Sequence, residues 1–301
     1  MRRMRIGVRR VSAMPALTLA LTLALGGLGT GCQTSPATGG LHLNALTEAD
    51  ELRLGEEAAP QFLEEFGGEI PSEQIATYVR EIGERMAAIS ERPDLPWEFY
   101  VVDSAVINAF ALPAGKVFIS RALLAEMTNE AQVAAVLGHE IGHVTDKHIG
   151  RQMTRSVATQ LGLSLFGVAL GTVEDETWLT VLGVGAEVTA VGTLLNFSRR
   201  QEHTADELGM RYMAELGYNP VGARQLIEIL AATSGRAGLE LFSTHPHPES
   251  RIERINELLA ERYPDYDEPG RYELHEQRFA ELVLAELETL EPPNHRPAPP
   301  Q

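Results

Sequence analysis

The chain has 301 residues and a formal charge of −17, from 25 basic and 42 acidic side chains. The first 31 residues hold five arginines and no acid, so the remainder stands at 20 − 42 = −22, a surface that repels phosphate backbones and argues against nucleic acid as a partner. A single cysteine excludes an internal disulfide framework, and the length suffices for one or two domains with a sizeable core.

Residues 1–31 read as an export signal, with arginines first, then the apolar run MPALTLALTLALGGLG, then small residues. Cys32 follows Gly31 directly, a placement that resembles the lipobox of bacterial lipoproteins, where the cysteine is acylated and becomes the mature N-terminus. Thr30 and Gly31 fit that pattern, whereas Gly29 stands where an aliphatic residue is usual and Leu28 is one place early. The alternative is an ordinary cleaved leader with an incidental cysteine. Acylation predicts a periplasmic protein held to a membrane through Cys32, and Gln33 in place of aspartate resembles outer-membrane sorting. Residues 32–45 then read as a flexible tether to a body spanning 46–291.

Within that body, Thr47 caps a helix through EADELRLGEEAA that is strained or ends near Pro60. Ile75, Tyr78, Val79, Ile82, Met86 and Ile89 recur at helical spacing and predict a second helix over about 72–90. WEFYVV (97–102) reads as a strand, and 107–120 as two short strands turning at Pro113, Ala114 and Gly115. Thr128 and Asn129 are good caps for a mostly apolar helix carrying Ala131, Val133, Ala134, Val136 and Leu137. Residues 157–197 form two apolar, glycine-rich segments about the acidic turn Glu174–Glu176. Gln160 and Glu187 within them favour a helical hairpin packed on the body over a pair of membrane spans. Helices follow at about 198–216, closed by Gly217, at about 220–234, at about 249–262 and at about 272–290, before a proline-rich tail at 292–301 that reads as disordered.

The chemistry sits in the apolar helix. His139 and His143 are four residues apart and share a face, so both imidazoles can grip one metal ion, while Glu140 can reach a metal-bound water and take its proton. HExxH arises by chance in roughly a few per cent of chains this long, so the weight falls on what completes it. A catalytic zinc wants three protein ligands and one open position. His148, nine residues beyond His139, falls on the opposite face of a continuous helix and reads as structural or solvated. Glu202 is the better third ligand, with Asp206 one turn on to accept the free ring N–H of His139 or His143. Ala205 and Gly209 supply small residues for close packing of that helix on the HExxH helix. His203 points elsewhere.

HEIGHVTDKH, SRRQEHTADELG and STHPHPESRI, in this order and at these separations, resemble the HtpX-like and BepA-like zinc metalloproteases, a family that includes the CAAX prenyl proteases and the Oma-type enzymes. The likeness covers most of residues 46–262. It implies an α+β, mainly helical, zincin-like (gluzincin) domain with a small edge-exposed β-sheet. One Zn²⁺ per chain would be held by His139, His143 and Glu202, with Glu140 as general base. It places His245 facing the metal, either stabilising an oxyanion or binding zinc at rest, with His247 as second choice. Arg251 then pairs with Asp206 or with the oxyanion. NAFALPAGKVFISRALL is similar to the family's edge-strand segment, so Asn108, Ala109 and Phe110 are expected beside an extended polypeptide substrate. Two features depart from the family: the chain stops before the repeat domain of BepA-like members, and 157–197 is less convincing as a membrane hairpin than in HtpX-like ones. The function expected is zinc-dependent hydrolysis of unfolded or misassembled envelope proteins. A lipid-anchored chaperone with secondary proteolysis, or a purely structural metal site, are the alternatives.

Overall fold

The computed structural model describes residues 32–155, 197–232 and 241–295. The export signal and almost all of the hairpin at 157–197 lie outside these residues. Strands β1 (Cys32–Thr34) and β2 (Leu41–Leu43) pair antiparallel, so the segment expected as a tether is instead a hairpin seated on the body. Its turn is closed by backbone bonds between Ser35 and Gly40 and between Gly39 and Ser35, with Gly39 at a left-handed φ of 67°. Side-chain bonds from Gln33 to the carbonyls of Asn44 and Leu46 fix it further.

Helix α1 (Glu48–Glu65) starts at a capping box in which Thr47 and Asp50 exchange bonds, as the sequence predicts. It does not end at Pro60. Gly55, Ala59 and Phe62 continue the buried face through the proline, and that packing holds the helix together across the lost N–H. Helix α2 (Glu73–Ala88) buries Ile75, Tyr78, Val79, Ile82 and Met86. Strands β3 (Glu98–Val102), β4 (Ala109–Leu112) and β5 (Lys116–Ser120) form one sheet in the order β3-β5-β4, with β3 parallel and β4 antiparallel to the central strand. The bend from β4 to β5 passes through Pro113–Gly115, where Ala114 takes φ 63° and Gly115 φ 79°. A short helix α3 (Arg121–Glu126) leads to α4 (Glu130–Thr145), capped by Asn129 and buried along its whole length.

Helix α5 (Arg199–Glu215) lies against α4 at close range because both carry small residues where they meet. A Cβ on Gly138 would stand 2.9 Å from Gly209 Cα, and one on Gly142 would stand 3.0 Å from the Ala205 carbonyl oxygen. In Gly209→Ala the added methyl would lie 2.9 Å from the Gly138 carbonyl carbon. Helix propensity favours alanine by up to about 1 kcal/mol, but forcing two backbones apart costs about 1–3 kcal/mol. Net destabilisation is expected in thermal unfolding, together with a loosened approach of Glu202 to His139 and His143, which sit on the two helices.

Gly217, at φ 82°, ends α5, and α6 (Val221–Ala232) follows. The short α7 (Leu241–Thr244) and α8 (Pro248–Arg262) flank His245. The final helical stretch comprises α9 (Glu276–Phe279), a π-turn (Ala280–Leu284) and α10 (Ala285–Leu287). The tail expected to be disordered is pinned at its start: His295 exchanges backbone bonds with Asp103 and Ala105, and Asn294 N–H donates to the Asp103 carboxylate. These hydrogen bonds to Asp103 and Ala105 override the proline content. No helix among the described residues is long and apolar enough to cross a membrane.

Candidate active site

α4 presents His139 and His143 one turn apart, and α5 brings Glu202 and Asp206 against them through the small-residue contact. His139 Nε2 and His143 Nε2 are 3.0 Å apart. Glu202 Oε2 is 3.5 Å from His139 Nε2, and Glu202 Oε1 is 3.4 Å from His143 Nε2. His245, positioned by its backbone bond to Leu241, brings Nδ1 to 3.1 Å from His139 Nε2 and 3.3 Å from Glu202 Oε1. One donor atom from each of His139, His143, Glu202 and His245 lies within 4.8 Å of the others, and all four residues are buried.

This donor set suits a divalent cation such as zinc. Imidazole nitrogens and a buried carboxylate turn toward one point, the donor chemistry that zinc takes. Asp206 orients His139, whose Nδ1 lies 2.8 Å from Asp206 Oδ1, so that Nε2 is turned to the cluster. Arg251 pairs with Asp206, through Nε at 2.9 Å and Nη2 at 2.6 Å, and its Nη1 lies 3.1 Å from Glu202 Oε2. Of the two partners expected for Arg251, Asp206 is the one it contacts, and it reaches Glu202 as well.

Glu140 is 2 % exposed, and its Oε1 lies 3.4 Å from His245 Nε2. His247 instead caps α8 in a left-handed conformation, and His203 contacts Ser250, so neither joins the cluster. Asn108 is buried just before β4, and Ala109 and Phe110 lie within that edge strand.

Two residues escape the sequence reading. Phe197 sets its ring 3.9 Å from that of His143, tilted by 35°, and covers that imidazole, and nothing but its position at the end of an apolar run hints at it. His148 is the second. The helix does not continue to it, because Lys147 takes a left-handed φ of 55° and turns the chain back, placing His148 Nδ1 3.0 Å from His143 Nδ1. His148 is thus buried rather than solvated, and it touches His143.

The charges are strongly coupled. Burial pushes His143 well below the usual imidazole range, reinforced by the charge on His139. Burial opposes ionisation of Glu202, but the charges of His245, Arg251 and His139 hold it well below the carboxylate range. For His139, burial and Arg251 act downward, yet Asp206 and Glu202 outweigh them and raise it to about 9. The metal-free site therefore carries a proton on His139 at pH 7, and ligation requires the neutral ring. Zinc binding is expected to release this proton, with the release fading as pH rises through about 9. Calorimetry in buffers of differing ionisation enthalpy measures it.

The sequence profile of peptidase family M48 matches residues 73–259, which holds every residue of this cluster. The chain belongs to peptidase family M48. It is 33 % identical over 217 residues to the mitochondrial metalloendopeptidase OMA1 of Schizosaccharomyces pombe, a match covering 70 % of this chain and 61 % of that protein. It is 28 % identical over 228 residues to the beta-barrel assembly-enhancing protease of Escherichia coli, covering 73 % and 46 %. Against the mitochondrial OMA1 of Danio rerio the figures are 30 % over 240 residues, covering 75 % and 50 %. The chain thus spans between about half and three fifths of the length of these relatives.

Proposed function

We propose that this M48 member is a zinc-dependent endopeptidase that cleaves unfolded or misassembled polypeptide at the cell envelope. The observation that carries this reading is the convergence of His139, His143 and Glu202 from two helices beside the buried Glu140. Those three residues would hold the ion. When bound, zinc acidifies water and polarises a peptide carbonyl. Glu140 accepts the proton of the attacking water and returns it to the leaving amine. Asp206 and Arg251 keep His139 and Glu202 oriented.

His245 sits among the metal donors, an arrangement that favours its service as a resting-state ligand that withdraws to admit substrate. Substrate binds extended along β4, the sheet edge next to α4, where the Asn108 side-chain carbonyl is buried without a hydrogen bond and can accept from a substrate backbone. A small cavity of about 30 Å³, lined in part by Val136, Leu226, Leu230 and Phe242, adjoins Glu140 and His245.

Membrane anchoring at Cys32 agrees with the hairpin's geometry. Cys32 pairs opposite Leu43 and Thr34 opposite Leu41, so all four share one face, and all four are exposed. Leu41 and Leu43 are the exposed large hydrophobic residues of the described chain, at 75 % and 49 %. A lipid on Cys32 would lie beside them. The arginine-led apolar leader and the relatives named for β-barrel assembly support the periplasmic side of the outer membrane.

Digestion of casein by the purified protein, with and without a zinc chelator, tests the enzyme; cleavage that survives chelation would overturn it. A second reading, a chaperone of extended polypeptide with latent proteolysis, is favoured by the place of His245 in the cluster. It predicts that the chelated protein still suppresses aggregation of an unfolded client.

A further inference from the structure

Asp146 caps α4 and is 3 % exposed. Its Oδ2 lies 2.7 Å from His148 Nε2, while His148 Nδ1 lies 3.0 Å from His143 Nδ1. With Asp146 ionised, one placement of ring protons satisfies both contacts. His148 gives its Nε2–H to the carboxylate, so its Nδ1 is an acceptor and takes the Nδ1–H of His143. The Nε2 of His143 is then a bare lone pair, directed at Glu202 Oε1 and His139 Nε2. This mirrors on the second ligand what Asp206 does on the first, through one more imidazole.

Asp146 is itself held from the N-terminal hairpin. Its Oδ1 accepts from the Ser35 hydroxyl and from Thr38 Oγ1, the latter at 2.9 Å. Arg151 pairs with Oδ2 and with the Asp146 carbonyl. The Ser35 hydroxyl also accepts from the backbone N–H groups of Ala37 and Thr38, so it is built into the turn between β1 and β2. Lys147 ties the same hairpin down by donating to Gln33 Oε1 at 3.1 Å. Close backbone approach secures it further, since a Cβ on Gly150 would meet Asn44 Oδ1 at 2.9 Å.

We propose that Asp146 and His148 are positioning residues for the metal ligand His143, and that Ser35 and Thr38 complete this support, so that seating of the hairpin 32–43 sets how tightly the centre holds its ion. The proposal rests on the reading of His139, His143 and Glu202 as ligands. Left unsupported, the His143 ring divides between tautomers and rotamers, and only part of the population presents Nε2 to the ion. Loss of such outer partners typically costs about 10–100-fold in metal affinity.

The test measures zinc affinity of the full-length protein by competition with a fluorescent chelator, for wild type, Asp146→Asn, His148→Phe and the double substitution Ser35→Ala, Thr38→Val. The expected loss is about 10–100-fold for the first two and smaller, in the same direction, for the hairpin pair. Ring ¹⁵N spectra of the metal-free proteins add a readout that mere destabilisation does not move: His143 is protonated on Nδ1 in wild type and mixed in the variants. The hairpin pair removes hydroxyls from the N-terminal turn and leaves the helices that carry the cluster unaltered, so it carries the test should Asp146→Asn or His148→Phe fail to fold. Unchanged affinity and an unchanged His143 tautomer in folded variants would overturn the proposal while leaving the ligand reading standing. A wild-type protein that binds no zinc would overturn both.

Discussion

Glu140→Gln is expected to keep its metal and to lose peptide hydrolysis by about 10²–10⁴-fold, the usual size of a general-base contribution. The two side chains have the same shape, and Glu140 stands outside the ligand set His139, His143 and Glu202, so the exchange removes a proton acceptor and little else. The position is buried at 2 % exposure, and its neighbour is His245, with Nε2 3.4 Å from Glu140 Oε1. An amide changes that contact, and His245 is the residue whose place the change disturbs most. Two measurements separate the effects: zinc per chain by elemental analysis, expected at one as in wild type, and the rate of casein cleavage. Activity within a few-fold of wild type would remove Glu140 from the reaction. Loss of zinc along with activity would mean instead that the charge of Glu140 holds the centre together.

The parts of this site legible in the sequence are those set by local periodicity. His139 and His143 share a helical face by spacing alone, and Glu202 with Asp206 repeats that logic on a second helix, where Ala205 and Gly209 advertise the close contact that Gly138 and Gly142 complete. The three-stranded sheet was readable for the same reason, since Pro113, Ala114 and Gly115 mark its one tight bend. What stayed hidden depends on contacts between distant segments. Reading His148 on the far side of a helix assumed that the helix went on, and a left-handed lysine at 147 carries no signal, because glycine and asparagine are the residues that mark such a turn. Likewise, the small polar residues of 33–45 have the composition of a linker. They fold because Ser35 and Thr38 find one carboxylate more than a hundred positions away, which no window of sequence contains. Pro60 and the tail at 294–295 fail in the opposite direction, with a disruptive composition overridden by burial of the helix face at the first and by hydrogen bonds to Asp103 and Ala105 at the second.

The second large effect concerns stability. Arg251 is 5 % exposed and lies between Asp206 and Glu202, both of which it keeps ionised inside the protein. Burial favours the neutral form of each acid, and Arg251 stands first among the charges lowering Asp206 and second, after His245, among those lowering Glu202. Arg251→Ala would leave two buried carboxylates with imidazoles alone beside them, His139 at Asp206 and His139, His143 and His245 at Glu202, and breaking a buried pair in this way costs about 3–5 kcal/mol. The loss should depend on pH with a definite sign. Both acids have folded pKa values below their ordinary ones, so in wild type they contribute stability that is present above the ordinary carboxylate range and lost on acidification through the depressed values. In the variant that contribution shrinks, so the gap between the two proteins is widest near neutrality and closes toward low pH. Saturating zinc should recover part of the deficit, because a bound cation beside Glu202 stabilises that carboxylate but does not reach Asp206 equally, and ligand binding to the folded state alone adds stability by mass action. Chemical denaturation of both proteins, with and without zinc and at several pH values, measures all three trends. A variant as stable as wild type at pH 7 without metal would show that Asp206 and Glu202 do not need the guanidinium, and the account of the second helix as a charge-balanced support would fall.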